Sequence, residues 1–191
     1  MTDSMNLAVI DLETTGTDEN AGSILEVGVI VVGPDLVVLD VAAWLVHPYP
    51  DHLANMDPVV VEMHRTSQLL AELEAGDNVH LLEDVDRELA ALLDRFTVDG
   101  RVALAGSGVG HFDSRWLRRH LPNASKRLTY WTIDVGVVRR FLRDLCGWDV
   151  PPLNDEKPHR ALDDALLHLA EMRAFRDVLS SDRPKANPDE D

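Results

Sequence analysis

The chain has 191 residues, 45% of them hydrophobic and 27% charged, and its 18 basic residues against 34 acidic ones give a formal net charge of −16. That is the balance of one globular domain with a substantial core, and the charge opposes any role in coating long duplexes through a broad basic surface. A short single strand, which needs only a local patch, is not excluded. The single cysteine, Cys146, rules out an internal disulfide and a thiolate metal cage, so a metal here is held by oxygen or imidazole. The opening MTDSMN has no basic region leading into an apolar run, and no stretch of about twenty apolar residues follows anywhere, which predicts a cytoplasmic protein with no membrane segment.

Residues 7–32, LAVIDLETTGTDENAGSILEVGVIVV, contain two β-branched apolar runs, 7–10 and 24–32, joined by a polar segment with Gly16 and Gly22. This predicts a hairpin with an acidic end. Asp11 and Glu13 are two apart, so on a strand their carboxylates project to one face, where they repel unless a cation lies between them. A divalent metal is one solution; a strand that ends early, leaving both acids solvated, is the other. A third antiparallel strand, 36–46, follows the turn at Gly33 and Pro34. Residues 48–55 read as loop, and Pro58 starts a helix over 59–73 that carries His64.

Residues 81–96 place Leu82, Val85, Leu89, Leu92, Leu93 and Phe96 at helical spacing, a core-packing helix. A short strand, 101–105, leads into GSGVG and a helix that ends at Pro122, with Asp113 at the strand-to-helix junction. That is a place where α/β folds gather ligands, although an isolated Asp there also serves as a helix cap. A fifth strand over 130–135 precedes a helix to Cys146 with Val137, Val138, Phe141, Leu142 and Leu145 expected inward. The Pro-rich stretch 147–158 is mobile by composition. The last helix carries a stripe of Leu162, Ala165, Leu166, Leu169 and Met172, and brings His159 and Asp163, four apart, to one face. From residue 180 a polar tail is predicted disordered, leaving one domain over 1–179.

VIDLETTG, GHFDSRWL and HRALDD, in that order and in those contexts, resemble the three motifs of the DEDDh 3′→5′ exonucleases, which include oligoribonucleases and polymerase proofreading domains. SILEVG and YWTIDV fit the oligoribonuclease branch best. The resemblance implies a ribonuclease H-like α/β fold: a mixed five-stranded sheet, an antiparallel meander followed by parallel strands, flanked by helices. It further implies two divalent ions, Mg²⁺ or Mn²⁺, one held by Asp11, Glu13 and Asp163 and the other by Asp11 and Asp113, with His159 as general base. Thr14, Thr15, Gly16 and His64 would contact substrate, as would Tyr130 and Trp131, Trp131 by stacking on a base. The implied substrate is a single-stranded RNA or DNA oligonucleotide, RNA favoured, and the implied assembly a homodimer. The chain departs from oligoribonucleases at Thr17, Val59, Trp131 and Gly136, where they carry Leu, Trp, Arg and Ser to hold a dinucleotide.

Arg115, Arg118, Arg119, Lys126 and Arg127 form a basic cluster that could guide the strand or balance neighbouring acids. Within the same family the alternative is DNA proofreading. A dinucleotide-cofactor enzyme is the distant one, because GSGVG sits between strand and helix; His111 occupies the position of its third glycine, and the antiparallel opening also opposes it.

Overall fold

The computed structural model describes residues 5–148 and 158–181. The opening runs form β1 (Leu7–Thr14) and β2 (Ile24–Val32), and β3 (Val38–Val46) completes an antiparallel meander. Three helices follow, α1 (Pro50–Ala54), α2 (Pro58–Thr66) and α3 (Leu69–Ala75), then the two-residue β4 (Val79–His80) and α4 (Leu82–Asp94). The second half contains β5 (Val102–Gly106), α5 (Asp113–His120), α6 (Pro122–Ser125), β6 (Leu128–Asp134), α7 (Val135–Arg140) and α8 (Ala161–Ser181). The sheet order is β4-β3-β2-β1-β5-β6, with β5 parallel to β1 and to β6. It has six strands, where five were expected: β4 pairs parallel to β3 through two residues, too short a run to leave an alternating pattern.

Period-2 alternation divides the sheet into two cores. Ala8, Ile10 and Leu12 of β1 join Val27, Val29 and Val31 of β2 on the face packed with Val85, Leu89 and Leu93 of α4 and Trp116 of α5. Leu7 and Val9 join Ile30, Ala103 and Ala105 on the opposite face, under Ala165, Leu169 and Met172 of α8. Asp11 and Glu13 have the parity of Leu7 and Val9, and therefore point to the α8 side. Gly28, opposite Asp11 in the β1–β2 register, lets α8 come close: a Cβ there would lie 2.4 Å from the backbone carbon of Ala161.

Three expected elements differ. The helix expected over 59–73 breaks at Gln68, which adopts a left-handed backbone (φ 65°) and turns Leu69 into a small core with Leu25 and Met56. Part of the expected 48–55 loop is α1. The helix expected to Cys146 becomes α7 followed by a π-helical turn, Phe141–Leu145. Leu142 is buried, but Val137, Phe141 and Leu145 are 52%, 54% and 76% exposed instead of inward, because no described element covers that side and the wider turn also rotates Phe141 and Leu145, which follow α7. Apart from their end residues, the expected mobile stretch 147–158 and the polar tail lie outside the described residues. No helix among the described residues is long and apolar enough to cross a membrane.

His120 ends α5, stacked on the buried Trp116 at 5.1 Å, and donates from Nε2 to the Glu19 carbonyl at 2.8 Å. Burial holds its imidazole below the ordinary histidine range, outweighing the carbonyl's pull in the other direction. A lowered folded-state value means that the unfolded chain takes up the proton first on acidification. Stability then falls as pH drops below about 6.5, the unfolded value. Thermal melts across that range should show this decline, with a shallower slope in His120→Gln.

Candidate active site

β1 presents Asp11 and Glu13, both buried, from its carboxyl half. The β5 carboxyl end lies beside them, since a Cβ on Gly106 would sit 2.8 Å from the Ile10 carbonyl oxygen. From there the GSGVG loop leads to Asp113, buried in the first turn of α5, a helix that packs against β1. Asp134 shapes this loop: its carboxylate accepts from the Gly108 and Val137 N–H groups at 3.1 Å each. The loop amide that a bound dinucleotide's phosphate would use is thus taken by an internal acid.

α8 supplies the remaining acid, and here the expectation is corrected. Asp163 is exposed, whereas Asp164 is buried and groups with Glu13 and His159, one ligand atom from each lying within 4.8 Å of the others. The physical reason is local. His159 precedes the helix, in a left-handed conformation (φ 52°), so the four-residue spacing rule does not run from it. Within the helix the buried stripe is Ala161, Ala165, Leu169 and Met172, which leaves Leu166 exposed and sets Asp164 at the stripe's edge facing β1. One turn beyond, His168 is buried with Nδ1 3.9 Å from Asp11 Oδ1. Asp164 and His168 are what sequence reasoning missed; the Ala161, Ala165, Leu169 stripe was the signal for both.

His64 is fully buried, with Nε2 donating to the Thr14 carbonyl at 2.9 Å and Nδ1 3.8 Å from Glu13 Oε2. Burial pushes its imidazole below the ordinary range, and nearby His159 acts in the same direction. Thr14 Oγ1 donates to the Gly16 carbonyl at 2.7 Å, and Thr15 is joined to Ser23 through its backbone N–H (3.0 Å) and its hydroxyl (2.9 Å). The Thr14–Thr15–Gly16 turn therefore sits rigidly beside Glu13. Tyr130 and Trp131 are not brought to this cluster: they lie on β6 at the edge of the sheet, 94% and 42% exposed, with β5 between them and β1. In the basic cluster, Arg127 forms a two-pronged pair with Asp94 (2.9 Å for each bond) and Arg115 approaches Glu19 at 3.5 Å, so these two balance local acids.

The donor set is carboxylate oxygen with imidazole, which suits hard divalent cations, and Cys146 is exposed on the π-helical side. Gathering several acids on one buried patch is costly without such a cation.

A mixed sheet of this order is the architecture of the ribonuclease H-like exonucleases. Among solved structures, the zinc-bound exonuclease I–single-stranded DNA complex of E. coli matches with a TM-score of 0.72 at 15% identity, over 93% of this chain and 42% of that one. This chain thus spans about two fifths of that neighbour. Residues 8–172 match the exonuclease (RNase T) family model. The oligoribonuclease of Corynebacterium diphtheriae is 32% identical over 176 residues, 89% of this chain and 81% of that protein, and the oligoribonuclease of Vibrio vulnificus is 30% identical over 175 residues, 91% and 95%. The chain belongs to the exonuclease family, in which dependence on divalent metal is typical.

Metal binding to the folded state alone raises stability, by about 2.7 kcal/mol at a free ion concentration one hundred times Kd. Mn²⁺ should therefore raise the melting temperature of the wild type. The rise should be largely lost in Asp164→Asn and retained in Asp163→Asn, as read by calorimetry.

Proposed function

We propose that the protein releases nucleoside 5′-monophosphates from the 3′ end of single-stranded oligonucleotides, RNA in preference to DNA. The observation that carries this reading is the approach of Glu13, Asp164 and His159 to within 4.8 Å of one another, beside the Thr14–Gly16 turn. Asp11, Glu13, Asp113 and Asp164 have the chemistry to hold two divalent ions, Mg²⁺ or Mn²⁺. When bound, such ions supply Lewis-acid stabilisation of charge on the phosphoryl oxygens.

The chain's own groups do the rest. His159 takes the proton from the water whose oxygen attacks phosphorus, a role suited to an imidazole and typically worth about 10² to 10⁴ in rate. The bond from phosphorus to the 3′ oxygen breaks, that oxygen takes up a proton as the new 3′ hydroxyl, and the terminal 5′-monophosphate leaves. Thr14, Thr15 and Gly16 hold the terminal nucleotide. His64, kept neutral by burial, fixes the Thr14 carbonyl and with it the start of that turn.

Thr17, Val59, Trp131 and Gly136 replace the groups with which oligoribonucleases grip a dinucleotide, which favours a less closed pocket. Ten-residue and two-residue oligomers of RNA and of DNA should be assayed side by side. The ten-mer is expected to be degraded at least as well as the dinucleotide and RNA faster than DNA, with His159→Ala losing about 10²-fold or more in kcat. Selective clearance of dinucleotides, or full turnover by His159→Ala, would overturn the corresponding part.

The reading extends to a homodimer. Val137, Phe141 and Leu145 are exposed on the segment that follows β6, an edge strand that itself exposes Tyr130 and Trp131, and exposed apolar groups and open strand edges are ordinarily covered. Sedimentation should give a dimer for the wild type and a monomer for Leu145→Glu combined with Phe141→Glu.

A further inference from the structure

His159 lies just outside α8 and carries a left-handed backbone (φ 52°), so helical hydrogen bonding does not fix it. The next two residues are fixed with unusual thoroughness. Arg160 reaches Glu26 of β2, Nη2 to Oε1 at 2.9 Å with Nε 3.2 and 3.3 Å from the two oxygens, and it reaches Glu72 of α3 through Nη1 and Nη2 at 2.8 Å each. The Ala161 N–H donates to Glu26 Oε2 at 2.8 Å. Glu26 is buried, so a guanidinium held by two carboxylates and a helix-start amide held by one of them form a connected set in which every bond is charge-assisted.

The placement of this set matters more than its strength. Glu26 is the cross-strand partner of Glu13 in the β1–β2 register, on the sheet face that α8 covers. The strand pair that carries Glu13 therefore also carries the anchor of the residues following His159. Glu72 adds a second tie, to α3, which follows the His64-bearing α2. An arginine here is better suited than a lysine, because its planar fork with five donors can pair bidentately with one carboxylate while still reaching a second.

We propose that Arg160, clamped by Glu26 and Glu72, is a positioning residue that sets the His159 imidazole against Glu13 and Asp164. This rests on the reading of His159 as proton acceptor. The Arg160 guanidinium is engaged by Glu26 and Glu72, and it acts through the backbone that His159 shares with it. Misplacing a catalytic group by an ångström can reduce turnover about 10²-fold, whereas substrate binding, carried by the Thr14–Gly16 turn, is left in place.

The test uses the full chain with saturating Mn²⁺ and a short single-stranded RNA, alongside histidine-selective NMR of the metal-free protein. Arg160→Met is expected to lower kcat about 10- to 100-fold with KM changed by no more than about twofold, and to shift or broaden the His159 ring resonance. Arg160→Lys should recover part of the loss, and Glu72→Gln should show a smaller loss of the same kind. In a His159→Ala background Arg160→Met should cost nothing further, since the residue acts only through that imidazole. Additive losses in the double variant, or a wild-type His159 resonance in Arg160→Met, would overturn the proposal. If His159→Ala alone kept full activity, the proton-acceptor role would fall, while the resonance would still report whether the clamp holds the ring. Should Arg160→Met not fold, Arg160→Lys and Glu72→Gln carry the same comparisons.

Discussion

Like charges gathered under a buried surface are the constraint around which this fold is arranged. Glu13 and Asp164 come within 4.8 Å of each other with His159, and Asp11 shares the strand face of Glu13. Two unit charges at that distance repel by roughly 3 kcal/mol at an effective dielectric of about 20. That cost is met by the framework, not by the acids. Both faces of the sheet are covered by closely packed apolar layers, so β1 and β2 cannot splay to separate the charges. α8 cannot withdraw easily either, because its start sits on the bare backbone of Gly28. A polar patch held this tightly is stable enough to exist and remains favourable ground for cations.

The geometry follows from strand direction. β1 and β5 are parallel, so their carboxyl ends lie together, and the loop leaving β5 leads to Asp113, buried at the start of α5. Asp134 at the end of β6 grips that loop from its other side. Ligand chemistry at the carboxyl ends of parallel strands is a general property of α/β sheets. The antiparallel β2 adds something that a purely parallel sheet lacks: a neighbour in tight register, which places Glu26 directly across from Glu13.

The strand part of this arrangement was legible in the sequence because burial writes a two-residue alternation. The same rule puts Asp11 and Glu13 on one face. It had nothing to act on in β4, whose two residues cannot alternate, and in the helix α8, read by three- and four-residue spacing, the apolar residues wrap too broadly to name a single stripe. Of the expected stripe, Leu162 packs against the core and Ala165 is buried, but Leu166 is exposed and small Ala161, outside that stripe, is buried, because the helix lies close to the sheet at Gly28. The four-residue spacing counted from His159, which stands outside the helix, moved the expected ligand by one residue, from Asp164 to Asp163. Val137, Phe141 and Leu145 were read as core because hydrophobicity alone does not tell an inward position from an exposed one.

Charge is the remaining apparent conflict, since a chain of net −16 acts on a polyanion. The conflict dissolves once scale is considered. Long-range repulsion is screened within about 8 to 10 Å at physiological salt, and a strand end inside that distance is governed by the local groups. Bound divalent ions would reverse the sign of the acid patch where the scissile phosphate must sit. Arg115 and Arg127 are engaged by Glu19 and Asp94, and Arg160 by Glu26 and Glu72, so the guanidinium groups around the site largely stabilise the protein's own acids. An acidic exterior with a metal-dependent interior favours a substrate that enters by its end over one that lies along the surface.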